Sequence, residues 1–330
     1  MIAQIDSNFI KCSLKKTYTR LLSYIFYEGR PLTTKGRWVN TVVFLLYRLQ
    51  SRLPFGIRVK KPIFILGTGR SGTTILGVTL GIHNDVGFLN EPKALWSYLY
   101  DNEDLIGSYN LHQANYRLFA KDATVSLIKK AHKIYGNYLR YSLSSRVVDK
   151  YPELVYRTRF VSTIFPDARF LFLYRNGYDT CHSIRLWSER LGVERHDELH
   201  DWWGKDSRKW HLLCSQIVAN DDALYLNIQK ISKYNNHEYR AAVEWIVTMK
   251  EGMALMKSNP TYVMGVKYED YVDCRDTRQN VLDFCELDQS SQYESYCKNT
   301  LQPPKVKEKI DLPIEIQDEF NRVMRELGYE

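Results

Sequence analysis

No apolar run near the start of this 330-residue chain is long enough to cross a bilayer. The longest, residues 38–47, contains Asn40 and Thr41, stops at Arg48, and has about half the required length. The first thirty residues lack an uninterrupted apolar core, so no secretory signal peptide is expected and the expected location is cytoplasmic. Cysteine is sparse and unpaired. Cys12, Cys181, Cys214, Cys274, Cys285 and Cys297 are scattered without a C-x-x-C pair, which argues for reduced, buried thiols rather than a disulfide framework. Internal repeats and low-complexity tracts are also missing, which excludes solenoid and fibrous classes. Acid is scarce at the start: residues 1–61 carry 12 Lys and Arg against Asp6 and Glu28, a net of +10. The remainder carries 34 basic and 36 acidic residues, so the +8 of the whole chain belongs to its first segment. That asymmetry suggests an anionic surface nearby, membrane or polymer, and no nucleic-acid partner is expected.

Against these absences stands one dense local signal. Pro62-Ile63-Phe64-Ile65-Leu66 reads as a buried parallel strand. It runs into Gly67-Thr68-Gly69-Arg70-Ser71-Gly72-Thr73-Thr74, and residues 73–81 suit a helix. A strand, a glycine-rich turn and a helix start gather backbone N–H groups, and the helix dipole behind them favours a bound anion. Gly67 and Gly72 have the spacing of a Walker A nucleotide loop, but Thr73 stands where that loop has lysine. This argues against ordinary phosphoryl transfer from ATP. Arg70 supplies a cation within the loop instead. The plain alternative is a structural corner that needs glycine to turn.

More chemistry falls at the ends of predicted strands. Residues 86–89 lead to Asn90-Glu91-Pro92-Lys93, residues 146–150 to Tyr151-Pro152, and residues 169–174 to Arg175. Helices are expected over about 153–165, 238–257 and 313–327, and a further strand over 261–267. Strands alternating with helices imply an α/β fold with a doubly wound, mostly parallel sheet. Ligands then sit beyond the carboxyl ends of the strands, where Gly67, Glu91, Lys150 and Arg175 all fall. Ser183 lies eight residues after Arg175. A guanidinium can grip a phosphate through two N–H groups while a hydroxyl on the following helix completes the cradle. A sheet-capping arginine and an ordinary helical serine are the alternative.

Arg70-Ser71-Gly72-Thr73-Thr74 resembles the 5′-phosphosulfate loop of the PAPS-dependent sulfotransferases, closest to the tyrosylprotein and Golgi-type carbohydrate group. Arg175 to Ser183 is similar to their 3′-phosphate segment. The resemblance implies a P-loop-like fold in which Gly69, Arg70, Ser71, Gly72, Thr73 and Thr74 hold the phosphosulfate of PAPS, and Arg175 and Ser183 its 3′-phosphate. It further implies that Glu91, 21 residues after Arg70, is the catalytic base. Lys150, in Lys150-Tyr151-Pro152, would stabilise charge on the bridging oxygen as PAP leaves. Lys93 could bind the sulfuryl oxygens. Lys267-Tyr268-Glu269-Asp270-Tyr271 resembles the signature whose tyrosine, here Tyr268, contacts the cofactor. Lys305, in Asn299-Thr300-Leu301-Gln302-Pro303-Pro304-Lys305, is placed in the last cofactor loop by position alone. No metal is implied. The resemblance covers residues 62–305 as ordered motifs and leaves out residues 1–60 and 186–236.

Residues 1–60 are therefore expected as a basic N-terminal helical segment, and 61–330 as the main domain with a helical cap at 186–236. A helix over 37–53, followed by a break at Pro54-Phe55-Gly56, either packs on the main domain or lies on a membrane face. His196-Asp197-Glu198-Leu199-His200 spaces two histidines as on a zinc-binding helix, but Asp197 stands where that pattern has glutamate, so a solvated helix face is expected. The expected activity is sulfuryl transfer from PAPS to a hydroxyl acceptor, a glycan or glycolipid, with tyrosylprotein and small-molecule acceptors as alternatives. A degenerate P-loop NTPase or kinase and a non-catalytic nucleotide-binding protein at a membrane surface are the rivals from other classes. Oligomeric state is left open.

Overall fold

The computed structural model describes residues 3–53, 58–195, 197–304 and 308–329. Among them eight strands form two sheets. They are β1 (Ile63–Gly67), β2 (Val86–Asn90), β3 (Arg146–Lys150), β4 (Arg169–Tyr174), β5 (Val193–Arg195), β6 (Glu198–Asp201), β7 (Gly204–Lys205) and β8 (Val263–Lys267). The main sheet runs β2–β3–β1–β4–β8, and every pairing in it is parallel. Register brings the carboxyl ends level. Gly67 lies opposite Leu173, Lys150 opposite both Ile65 and Asn90, and Tyr174 opposite Lys267.

Alternation along the strands sends side chains to two apolar layers, with helices on both faces. Phe64, Leu66, Phe170 and Phe172 pack with Trp96, Tyr135 and Trp245. Ile63, Ile65, Leu171 and Leu173 pack with Leu76, Leu80 and Tyr271. Each such side chain, fully buried, stabilises by about 1.5–3 kcal/mol, which is why these strands are apolar throughout.

Three expectations need correction. The helix expected over 153–165 begins as a 3₁₀ turn, Pro152–Arg157, before the α-helix Thr158–Ile164. Arg157 is fully buried there, with its guanidinium on the Glu103 carboxylate and the carbonyls of Glu103, Asn115 and Tyr116. The cap is not wholly helical. The helix Gly177–Leu191 runs past residue 186, and β5–β6–β7 form an antiparallel sheet before the helix Arg208–Gln216. His200 accordingly lies on β6, not on a helix face, and is buried; His196 lies outside the described residues. The break expected at 54–56 also lies outside them.

β2 is an outer strand, and its backbone groups at Val86, Phe88 and Asn90 face away from β3. Open edges of this kind are a liability that folds must cover. Here the helix Leu14–Phe26 covers it with side chains instead of backbone. Lys16 Nζ donates to the carbonyls of Asn84 (2.9 Å) and Val86 (2.7 Å), and Arg20 Nη1 to that of Phe88 (3.4 Å). Glu28, paired to Arg20 at 2.6 Å, accepts from the Asn90 N–H at 2.6 Å. The helix Val39–Arg52 places Val43 and Tyr47 in the same core as Phe64 and Trp96. Arg20→Met removes one partner of a buried pair and leaves the Glu28 carboxylate uncompensated, so it should destabilise the fold by about 3–5 kcal/mol. Chemical denaturation checks this; an unchanged midpoint would show that the edge is not held by these side chains.

Candidate active site

The turn after β1 combines two backbone features that its residues explain. Gly72 has φ +104° and begins the helix Thr73–Ile82, and a Cβ there would lie 2.3 Å from the Tyr268 ring. A Cβ on Gly69 would lie 2.3 Å from the Trp202 ring. Glycine therefore lets two aromatic rings close on the loop from either side. Ser71 and Thr73 are buried, Ser71 Oγ donates to the Thr68 carbonyl at 2.5 Å, and the buried Thr68 hydroxyl has no partner. Arg70 takes φ +69°, an uncommon conformation for a residue with a side chain.

From that position Arg70 Nε donates to Ser183 Oγ at 3.2 Å, joining the glycine loop to the helix that follows β4. Arg175, at the end of β4, lies over the Tyr268 ring at 4.8 Å and pairs with Asp179 at 3.0 Å. Its Nε is buried without a partner. Burial lowers the Arg70 pKa, and the guanidinium groups of Arg190 and Arg175 lower it further, against an opposing pull from Glu91. Loop, Arg175, Ser183 and Tyr268 are therefore brought into one neighbourhood rich in positive charge. Lys305 lies outside the described residues.

Glu91 leaves β2 with φ +49°, its N–H bonded to the Lys150 carbonyl at 2.7 Å. Lys150 Nζ donates to Glu91 Oε1 at 2.5 Å, and Lys93 Nζ lies 3.4 Å from Oε2. Burial works to raise the Glu91 carboxyl, but the two ammonium groups outweigh it and hold it down to about 2. Lys150 is itself lowered by burial, against the pull of Glu91. Behind it, Asp149 accepts from Trp96 Nε1 (3.0 Å) and the Tyr135 hydroxyl (2.5 Å), and burial pushes its carboxyl up to about 7.

A chain of charges missed in the sequence continues from this pair. Lys93 reaches Glu153 at 3.4 Å, Glu153 reaches Lys209 at 3.2 Å, and Lys209 reaches Glu244 at 2.6 Å. Glu244 accepts from Trp202 Nε1 at 2.9 Å, and that indole is the one lying against Gly69. Arg190 was also missed. Glu153 stands beside the Lys150-Tyr151-Pro152 motif and Trp202 within an aromatic-rich stretch, which were the available signals; Lys209, Glu244 and Arg190 had none. A cavity of about 450 Å³ lies beside Gly69, Glu91, Lys93, Trp187, Trp202 and Lys209. A groove lined by Arg70, Ser183, Trp187 and Arg190 adjoins it, with Trp187 shared between them. Among the described residues, the acidic cluster able to hold a cation, Asp221, Asp222 and Glu319, already surrounds Lys250 Nζ at 2.7, 2.5 and 2.8 Å.

Residues 62–225 match the family model described as the sulfotransferase family. No curated protein matches. Among solved structures, the sulfotransferase domain of the Synechococcus PCC 7002 olefin synthase is 17% identical, with 84% of this chain and 99% of that one covered, at a TM-score of 0.48. Sulfotransferase STF1 from Mycobacterium tuberculosis H37Rv is 14% identical over 96% and 93%, at 0.46. Mouse sulfotransferase SULT7A1, complexed with PAP, is 11% identical over 82% and 76%, at 0.34.

Removing the Lys150 ammonium leaves burial less opposed at Glu91. Lys150→Met should therefore move the Glu91 carboxyl upward from about 2, as read by carbon-13 titration of the side chain. An unmoved titration would mean that this pair does not control its charge.

Proposed function

This chain belongs to the sulfotransferase family, and we propose that it uses PAPS to sulfate a hydroxyl group of a glycan or glycolipid. The observation that carries the reading is the 3.2 Å bond from Arg70 to Ser183, because it ties the glycine loop to the helix that follows the Arg175 strand end. The residues present suit a nucleotide with anions at both ends. Arg175 has a buried Nε without a partner, Thr68 has a buried hydroxyl without one, and the glycine turn is shaped where side chains would intrude. Gly69 to Thr74 would hold the phosphosulfate, and Arg175 and Ser183 the 3′-phosphate. Tyr268 packs against Gly72 and Arg175 and would carry the adenosine side. When bound, PAPS supplies an activated sulfuryl group and a phosphate leaving oxygen.

The acceptor would enter the cavity on the Glu91 side of Gly69. Glu91 takes the proton of the acceptor hydroxyl as that oxygen bonds to sulfur and the bond from sulfur to the phosphate oxygen breaks. Lys150 would neutralise the charge that develops on this leaving oxygen, and Lys93 would bind the sulfuryl oxygens. In the resting protein the two roles are locked together, since Lys150 is bonded to Glu91. A lysine drawn toward the leaving oxygen releases the carboxylate, which then becomes a stronger base. Trp187 and Trp202 offer ring faces for a sugar, and the charged groups around them offer hydroxyl partners. An NTPase reading has no support at Thr73, where the phosphate-reaching lysine is missing.

Calorimetry with PAP and AMP tests the donor assignment. PAP should bind about a hundredfold or more tighter, from charge-assisted bonds to the extra phosphate; equal affinities would remove Arg175 and Ser183 from the site. Glu91→Gln should lower turnover by about 10²–10⁴-fold with PAP affinity little changed. Full activity in that variant would exclude Glu91 as the base.

A further inference from the structure

The helix Leu14–Phe26 presents its residues in the reverse of the usual order for a protein in water, and the helix Val39–Arg52, though it buries Val43 and Tyr47, leaves a second apolar row outside. In Leu14–Phe26, the side chains turned inward are Lys16, Thr19, Arg20 and Ser23, committed to the β2 edge and to the carboxyl end of the helix Val125–Tyr141. Leu14, Tyr18, Leu21 and Ile25 are turned out, spaced by four, three and four residues. The same spacing recurs at Val39–Arg52, where Trp38, Val42, Leu45 and Leu49 are exposed. Leu14 and Trp38 are each 76% exposed, and it is the regular spacing of these two rows, rather than single exposure, that sets them apart.

Charge accompanies these stripes with one sign only. Lys11, Lys15, Lys35, Arg48 and Arg52 are exposed, and the sole acid in residues 7–53 is Glu28, which is buried on Arg20. We propose that this face docks flat on a lipid bilayer carrying anionic headgroups, the apolar stripes entering the headgroup boundary and the cations meeting phosphates. A second copy of the chain would cover the apolar stripes but would set these cations against themselves. An acidic soluble partner would answer the charge and leave two rows of aliphatic and aromatic side chains to be desolvated. Only a bilayer satisfies both. Among the described residues no helix is long and apolar enough to cross a membrane, so the contact is peripheral. The connection between the helices, Gly29 to Thr34, also lines the cavity beside Glu91. Docking would thus hold that cavity at headgroup level, where a lipid-borne acceptor would sit; this corollary rests on the transferase reading, whereas the docking does not.

Co-sedimentation of the full chain, without nucleotide, tests the docking with two vesicle types: phosphatidylcholine alone, and equal parts phosphatidylcholine and phosphatidylglycerol. The protein should pellet with the anionic vesicles, less so as salt is raised, and weakly with the neutral ones. Leu45→Glu combined with Leu49→Glu should weaken that binding by about tenfold or more while the thermal midpoint stays in place. A second pair, Lys15→Glu with Arg48→Glu, should abolish the preference for anionic vesicles. Wild-type protein left in the supernatant, or stripe variants that bind as well as wild type, would overturn the proposal. So would a dimer in sedimentation equilibrium that the stripe variants dissociate, which would identify the face as a contact between copies. PAP calorimetry is unaffected by any of these outcomes, so a failure of docking and a failure of the donor assignment are read separately.

Discussion

Guanidinium groups repel, and this fold holds Arg70 within electrostatic reach of two others, Arg190 and Arg175. Arg70 reaches Ser183 directly, while Arg190 and Arg175 press its pKa down along with burial. Such crowding is unfavourable unless something negative shares the space. Asp179 answers part of it at Arg175, and Tyr268 offers that group its ring face. The parallel sheet makes the arrangement unavoidable, because it brings the ends of β1 and β4 level and sends both following segments over the same rim. Two uncommon backbone conformations, at Arg70 and Glu91, lie at that rim, and a third, at Lys61, lies at the opposite end of β1. Positive charge is thus concentrated at the sheet's carboxyl edge.

The buried ion chain from Glu91 through Lys93, Glu153, Lys209 and Glu244 to Trp202 has a different consequence. Buried pairs contribute little net stability, since desolvation offsets attraction, but a broken one is costly. The chain therefore fixes geometry. It ties the cap, through Trp202, to the same loop that β1 delivers, and sets the wall between cavity and groove at a defined place. Lys150, buried and bonded to Glu91 Oε1 at 2.5 Å, anchors the Glu91 end of this chain.

The helix Leu14–Phe26 shows how one structural need reverses another. An outer parallel strand must have its backbone satisfied, and Lys16, Arg20 and Glu28 do this with charged side chains. A helix that turns its polar residues inward has its apolar residues left for the outside. The basic composition of residues 1–61 is thus divided: Lys16 and Arg20 hold the sheet edge, Lys61 pairs with Glu286, and Lys11, Lys15, Lys35, Arg48 and Arg52 are exposed.

Much of this was readable before any coordinates. Apolar runs named β1, β3 and β4 to within a residue and put Gly67, Glu91, Lys150 and Arg175 at strand ends, because strand propensity and turn formation depend on neighbours a few residues away; the roles given to them and to Ser183 came from the family resemblance. The 3₁₀ turn at Pro152–Arg157 was not readable, since it answers a carboxylate at Glu103, and neither was the β-sheet within the cap. Lys209, Glu244 and Arg190 carry no motif; they matter only because residues far apart in the chain are brought within a hydrogen bond's reach. By itself the sequence determined the fold class and which residues end the strands, both consequences of short-range periodicity. Which charges face one another across the cleft, and which face of a helix meets solvent, was decided by long-range packing that no local pattern encodes.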